Sequence, residues 1–98
     1  DSISSEQAKD WGLIWDAVSD EELLSKSIEI AERLANGPIE GLKAIVKAHD
    51  NALSVSLNDQ LDYERDTQKV LLDKQEFKEG VSAFIGKRKP NFRELIKK

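Results

Sequence analysis

Glu79-Gly80-Val81-Ser82-Ala83-Phe84-Ile85-Gly86-Lys87-Arg88-Lys89-Pro90-Asn91-Phe92 is the most informative stretch of this 98-residue chain. Phe77, Val81 and Phe84 recur at helical spacing, which predicts a helix over about Glu76 to Lys87. Pro90 ends it, because proline pushes the residue before it out of helical geometry. Phe84 and Lys87 stand three residues apart, an aromatic and a basic group on one helical face. Such a pair suits a flat base against the ring and a phosphate against the ammonium. A helix C-terminus favours cations for its own stability as well, so spacing alone does not assign a ligand.

Upstream, the same periodicity repeats. Ser4 and Gln7 read as a capping box that starts a short helix over about 5–11, with Gly12 at the left-handed position after it. Ser19 and Glu22 read as a second capping box. Leu24, Ile28, Ala31 and Ala35 then form the apolar stripe of a helix over about 20–36. Asn36-Gly37-Pro38 stops that helix and starts the next, over about 38–54, with Leu42, Ile45, Val46, Ala52 and Leu53 on its stripe. A further helix spans about Leu57 to Leu72, with Leu57, Leu61, Leu71 and Leu72 as apolar anchors and Asn58 or Asp59 as candidate start signals. Leu13 to Val18, short, apolar and partly β-branched, reads as an extended segment or a brief strand. The expected fold class is all-α, with four or five helices. A lone strand would leave its backbone groups in need of partners from elsewhere.

Composition narrows the chemistry. The chain has no cysteine, which excludes a disulfide framework, a thiolate metal site and a cysteine nucleophile. A single histidine excludes a metal site that needs two. No apolar run approaches the roughly 18 residues of a membrane span, so no membrane partner is expected. Absence of cysteine fits a reducing compartment, and a cytoplasmic location is the expectation. Residues 1–86 carry nine basic and eighteen acidic side chains, whereas residues 87–98 carry six basic and one acidic. An acidic body argues against nucleic acid as a partner. The basic end, Lys87 to Lys98, is either a phosphate contact or a solvated terminus. The chain also lacks methionine and begins at Asp1, which gives the expectation that it is a fragment of a longer protein.

Other candidate residues read as structural. His49 lies on the apolar stripe of its helix without a nucleophile context, and is expected to be a partly buried helix residue. Glu64 and Gln68 share a helical face, but Gln68 cannot ionise, so no acid–base pair arises. Lys47 of the preceding helix is a candidate ion-pair partner for Glu64; solvent exposure is the alternative. Trp11 and Trp15 flank a turn and are expected to fill a core or an interface.

The motif E-G-V-S-A-F-I-G-K-R-K-P-N-F resembles the C-terminal signature of the crotonase superfamily, the enoyl-CoA hydratases and isomerases. Ile3-Ser4-Ser5-Glu6-Gln7-Ala8 through Trp11-Gly12-Leu13-Ile14 is similar to the family's segment after its catalytic strand region. Ala31-Glu32-Arg33-Leu34-Ala35-Asn36-Gly37-Pro38 is similar to its next helix and break. Trp11-Gly12-Leu13-Ile14-Trp15 and Gln60-Leu61-Asp62-Tyr63-Glu64-Arg65-Asp66-Thr67-Gln68 most resemble the phenylacetate-degradation branch, which isomerises a ring-epoxide acyl-CoA.

The resemblance implies that residues 1–18 end the crotonase core and residues 19–98 form the C-terminal helical oligomerisation region. It implies an acyl-CoA thioester as substrate, no prosthetic group, no metal, and a homotrimer or hexamer in the full-length enzyme. The oxyanion hole and the acidic catalytic residues would lie in an upstream catalytic region, so no catalytic residue is expected here and the fragment alone is expected to be inactive. Phe84 and Lys87 would belong to the CoA site, with Arg88 a lesser contributor. Gly86 stands where many hydratases carry Glu, which would loosen the helix end. Straight-chain enoyl-CoA hydration and a free-standing helical interaction module are the alternatives.

Overall fold

Ser4 sets the first helix as its sequence suggests: its hydroxyl accepts the Gln7 amide at 3.1 Å. This and all following geometry come from a computed structural model describing residues 1–96. Six helices are described, α1 (Ser5–Asp10), α2 (Asp20–Ala35), α3 (Ile39–Ala52), α4 (Leu57–Leu72), α5 (Gln75–Ile85) and α6 (Arg93–Ile96), and no strand occurs among the described residues. The all-α expectation is met, with α6 a single extra turn that periodicity did not reveal. The chain forms two compact units, Asp1–Ala31 and the remainder from Glu32.

In the first unit, Gly12 ends α1 in the left-handed region (φ 76°). Its amide bonds to the Lys9 carbonyl and the Leu13 amide to the Ala8 carbonyl, both at 2.9 Å. This satisfies carbonyls that a helix end otherwise leaves open. The same turn removes the expected strand. Leu13 is folded back onto α1, the Asp16 carboxylate accepts the Ala17 amide at 2.8 Å, and Lys9 pairs with Asp16 at 2.6 Å. The Lys9 hydrogen bond holds the Asp16 carboxyl below its ordinary value, with help from the Ala17 amide. Trp11 and Trp15 are exposed, so neither fills a core within this chain.

In the second unit, α3 packs on α4 and α4 on α5. The helix starts are tied by different means. Pro38 precedes α3 and offers no side-chain cap; instead Glu76 of α5 accepts the Glu40 and Gly41 amides at 3.0 and 3.3 Å. A carboxylate at that end also suits the positive pole of the helix dipole. α4 spans Leu57–Leu72 as expected, and its cap is the Ser56 hydroxyl, which accepts the Asp59 amide at 3.1 Å, not Asn58 or Asp59. Gln60, only 9% exposed, accepts from the Asn51 amide nitrogen and donates to the Ala48 carbonyl, both at 3.1 Å. It thereby ties the start of α4 to the end of α3. Ala83, at 1%, is the buried apolar side chain among the described residues. The apolar stripes of the helices stay largely open, with Leu24, Ile28, Ile45, Val46, Leu61 and Val81 exposed.

Candidate functional site

The end of α5 brings the strongest binding features together. Helix geometry stops at Ile85, two residues short of the expected Lys87. Gly86 stays right-handed (φ −77°) and its amide bonds to the Ser82 carbonyl at 2.9 Å. The left-handed position falls on Lys87 (φ 51°), the non-glycine residue that adopts positive φ among the described residues. The Lys87 amide bonds to the Phe84 carbonyl at 3.2 Å and the Arg88 amide to the Ala83 carbonyl at 3.0 Å. This is the pattern that closes α1, with lysine in the place of glycine. Phe84 and Lys87 are therefore neighbours, but through a turn and not on a shared helical face. The end that Gly86 was expected to loosen is fully tied.

A carboxylate holds the turn in this form. Glu79, about two turns before Gly86 on α5, accepts Arg88 Nη1 at 2.6 Å and Nη2 at 3.2 Å, one to each oxygen. Its Oε1 also accepts the Asn91 amide at 2.9 Å. Arg88 Nη2 reaches the Ser82 hydroxyl at 3.2 Å and Nη1 the Lys89 carbonyl at 3.3 Å. The Arg88 hydrogen bonds, then the Asn91 amide, hold the Glu79 carboxyl down at about 2. Arg88 is committed to this clamp, so the three successive cations 87–89 are not equivalent. Sequence reading gave Glu79 no role, because a nine-residue separation matches no helical pairing rule.

Phe84 is 86% exposed and borders an open groove of about 510 Å³. Pro38 and Gly41 at the start of α3, Leu71 and Leu72 at the end of α4, Phe77 and Val81 of α5, and Phe92 beyond it line that groove. Its polar members are Gln68 and Glu76, and Glu76 is engaged by the α3 amides. An apolar cleft with an aromatic rim is equipped to bind the apolar part of a ligand, and Lys87 follows in the turn after Phe84 without lining the cleft itself.

The other candidates separate from this site or recede. His49 is exposed on α3, not partly buried as expected. Glu64 is exposed and borders a shallow groove between α3 and α4, whereas Lys47 lines a different groove with Leu34, Ile39 and Leu42. Their pairing does not occur among the described residues, and solvent exposure is the reading that holds. Of the basic end, Lys97 and Lys98 lie outside the described residues. No group of three or more His, Asp or Glu among the described residues is arranged to hold a metal ion. No described helix is long and apolar enough to cross a membrane.

Comparison with known proteins follows the same residues. The family model for enoyl-CoA hydratase/isomerase matches residues 1–95. The chain is 43% identical over 90 residues to the 1,2-epoxyphenylacetyl-CoA isomerase of Escherichia coli K12, covering 92% of this chain and 34% of that protein. It is 37% identical over 94 residues to an enoyl-CoA hydratase of Mycobacterium tuberculosis H37Rv, covering 92% and 34%. The crystal structure of an enoyl-CoA hydratase from Polaromonas sp. JS666 superposes with a TM-score of 0.85 at 32% identity, covering 91% of this chain and 35% of that one. The chain thus spans about a third of the length of the relatives it matches.

Proposed function

The chain belongs to the enoyl-CoA hydratase/isomerase family, and from that premise we propose that it forms the C-terminal helical part of an acyl-CoA enzyme and supplies one edge of its CoA site. Phe84 packs against the adenine end of CoA and Lys87 meets a phosphate. The observation that carries this reading is the helix end itself. An exposed aromatic ring stands beside a lysine held in a backbone conformation that glycine would adopt more easily. Backbone strain of this kind gathers at ligand clamps.

The parent enzyme polarises a thioester carbonyl with fixed amide donors in its upstream catalytic region and passes through a stabilised enolate. Residues 1–18 end that region, residues 19–98 pack the subunits of a trimer or hexamer, and no residue of the 98 is catalytic. The open apolar stripes of α2 and α3 support an oligomer-packing role. Likeness to the Escherichia coli isomerase favours a ring-epoxide phenylacetyl-CoA as substrate over a straight-chain enoyl-CoA.

The test is CoA-ester affinity of the full-length enzyme. Phe84→Ala and Lys87→Ala should each weaken binding about fivefold, the size expected for one exposed charge pair or one lost aromatic contact. Unchanged affinity in both variants would sink the assignment. Turnover of ring-epoxide and straight-chain thioesters by the same preparation decides the substrate.

A further inference from the structure

Lys87 does not hold its own conformation. A lone L-residue in the left-handed region relaxes unless its surroundings over-determine it. What surrounds it here is a closed hook. The chain leaves α5 at Ile85, turns at Lys87, and is drawn back by Arg88 and by the Asn91 amide onto the Glu79 carboxylate. Three hydrogen bonds converge on that carboxylate: two from Arg88 in fork geometry and one from the backbone twelve residues on. Glu79 is the sheltered member, its side chain 19% exposed against 47% for Arg88. Forked pairs fix direction as well as distance, which a single ion pair does not.

Resting on the CoA-edge reading above, we propose that Glu79 is the positioning residue of that edge: through Arg88 and the Asn91 amide it locks the turn that aims the Lys87 ammonium at the ligand's phosphate. Two consequences separate this from direct contact. Arg88 acts on the ligand only through Lys87, because its guanidinium is occupied by Glu79, the Ser82 hydroxyl and the Lys89 carbonyl. The clamp matters only to the phosphate-bearing part of the ligand, not to the pantetheine arm.

The experiment uses the full-length enzyme, with dissociation constants measured by calorimetry for CoA and for pantetheine, which lacks both the diphosphate and the phosphoadenosine. Lys87→Ala weakens CoA about fivefold and leaves pantetheine unmoved. Glu79→Gln keeps the shape but loses the charge; Arg88→Lys keeps the charge but loses the fork. Each should weaken CoA about threefold to fivefold, again without moving pantetheine. Added to Lys87→Ala, Glu79→Gln should cause no further loss, because it acts through the residue already removed. If Lys87→Ala lowers CoA affinity while Glu79→Gln and Arg88→Lys do not, the positioning role is overturned and the CoA-edge reading stands. If Lys87→Ala has no effect, positioning is overturned, and the CoA-edge reading falls with it when Phe84→Ala is silent as well. Additive losses, or equal losses for CoA and pantetheine, overturn positioning in favour of general damage to the turn. Arg88→Lys keeps the proposal testable if Glu79→Gln fails to fold.

Discussion

Replacing Lys87 by glycine should tighten the turn and weaken the site. Two helix ends in this chain make the same pair of hydrogen bonds, one with Gly12 at the left-handed position and one with Lys87. The first is free of Cβ contact, whereas the second carries the contact between Cβ and the following carbonyl, about 1–2 kcal/mol. Glycine removes that term but gives back about 0.4–1 kcal/mol through greater freedom of the unfolded chain. The net gain is about 1 kcal/mol, or about fivefold in the equilibrium for local opening. Hydrogen exchange at the Arg88 amide, which is bonded to the Ala83 carbonyl at 3.0 Å, reads that opening directly. In the full-length enzyme, Lys87→Gly should raise its protection about fivefold, and Lys87→Ala, which keeps the Cβ, should not. Both variants should lose CoA affinity, because both lose the ammonium. Protection in Lys87→Gly at or below the wild-type level would refute the strain argument. Equal gains in both variants would trace the effect to relief of repulsion from Arg88 and Lys89 instead.

Two further outcomes follow from named contacts. Glu79 titrates at about 2 in the folded chain against an ordinary 4.5. A depressed folded value means its contribution is complete above the unfolded value and is lost as pH falls from about 4.5 through about 2. Denaturation of the full-length enzyme in that window should therefore show a steeper acid loss for the wild type than for Glu79→Gln; parallel curves count against the clamp. Glu76→Ala removes the carboxylate that accepts the Glu40 and Gly41 amides, and should lower stability by about 1 kcal/mol, the usual size of a lost helix cap. Faster exchange at those two amides is the direct check, and unaltered protection would show that α3 does not depend on Glu76.

Local signals were legible in the sequence, and tertiary ones were not. Ser4 and Gln7 form their cap, and Gly12 takes the left-handed turn, because each depends on residues three or four apart. The bounds of α4 are legible from Leu57 to Leu72, but its cap is not: Ser56, Asn58 and Asp59 are all good caps, and only the chain's path selects Ser56. Leu13 to Val18 has strand composition, yet the Gly12 turn and the Lys9–Asp16 pair override it. Pro38 looks like a helix start without a cap, and its cap comes from Glu76, 36 residues from Glu40. The helix end followed the same logic. Propensity would place the left-handed residue at Gly86, but the Glu79–Arg88 fork sets the turn one residue later.

Exposure alone would not have found the site. Leu53 is 94% exposed and Phe84 86%, and both are apolar side chains in water. Single exposed apolar residues are ordinary on protein surfaces. Leu53 simply caps the end of α3 with relaxed right-handed backbone. Phe84 differs in what its carbonyl and its neighbours do. That carbonyl anchors the Lys87 amide, the lysine sits where glycine would be easier, and a sheltered carboxylate draws the following residues back to keep it there. A relaxed turn with glycine would have closed the helix equally well, as Gly12 does for α1. Retaining lysine at that position makes physical sense when its side chain has work to do at the phosphate, and the hook is the means by which the fold tolerates it.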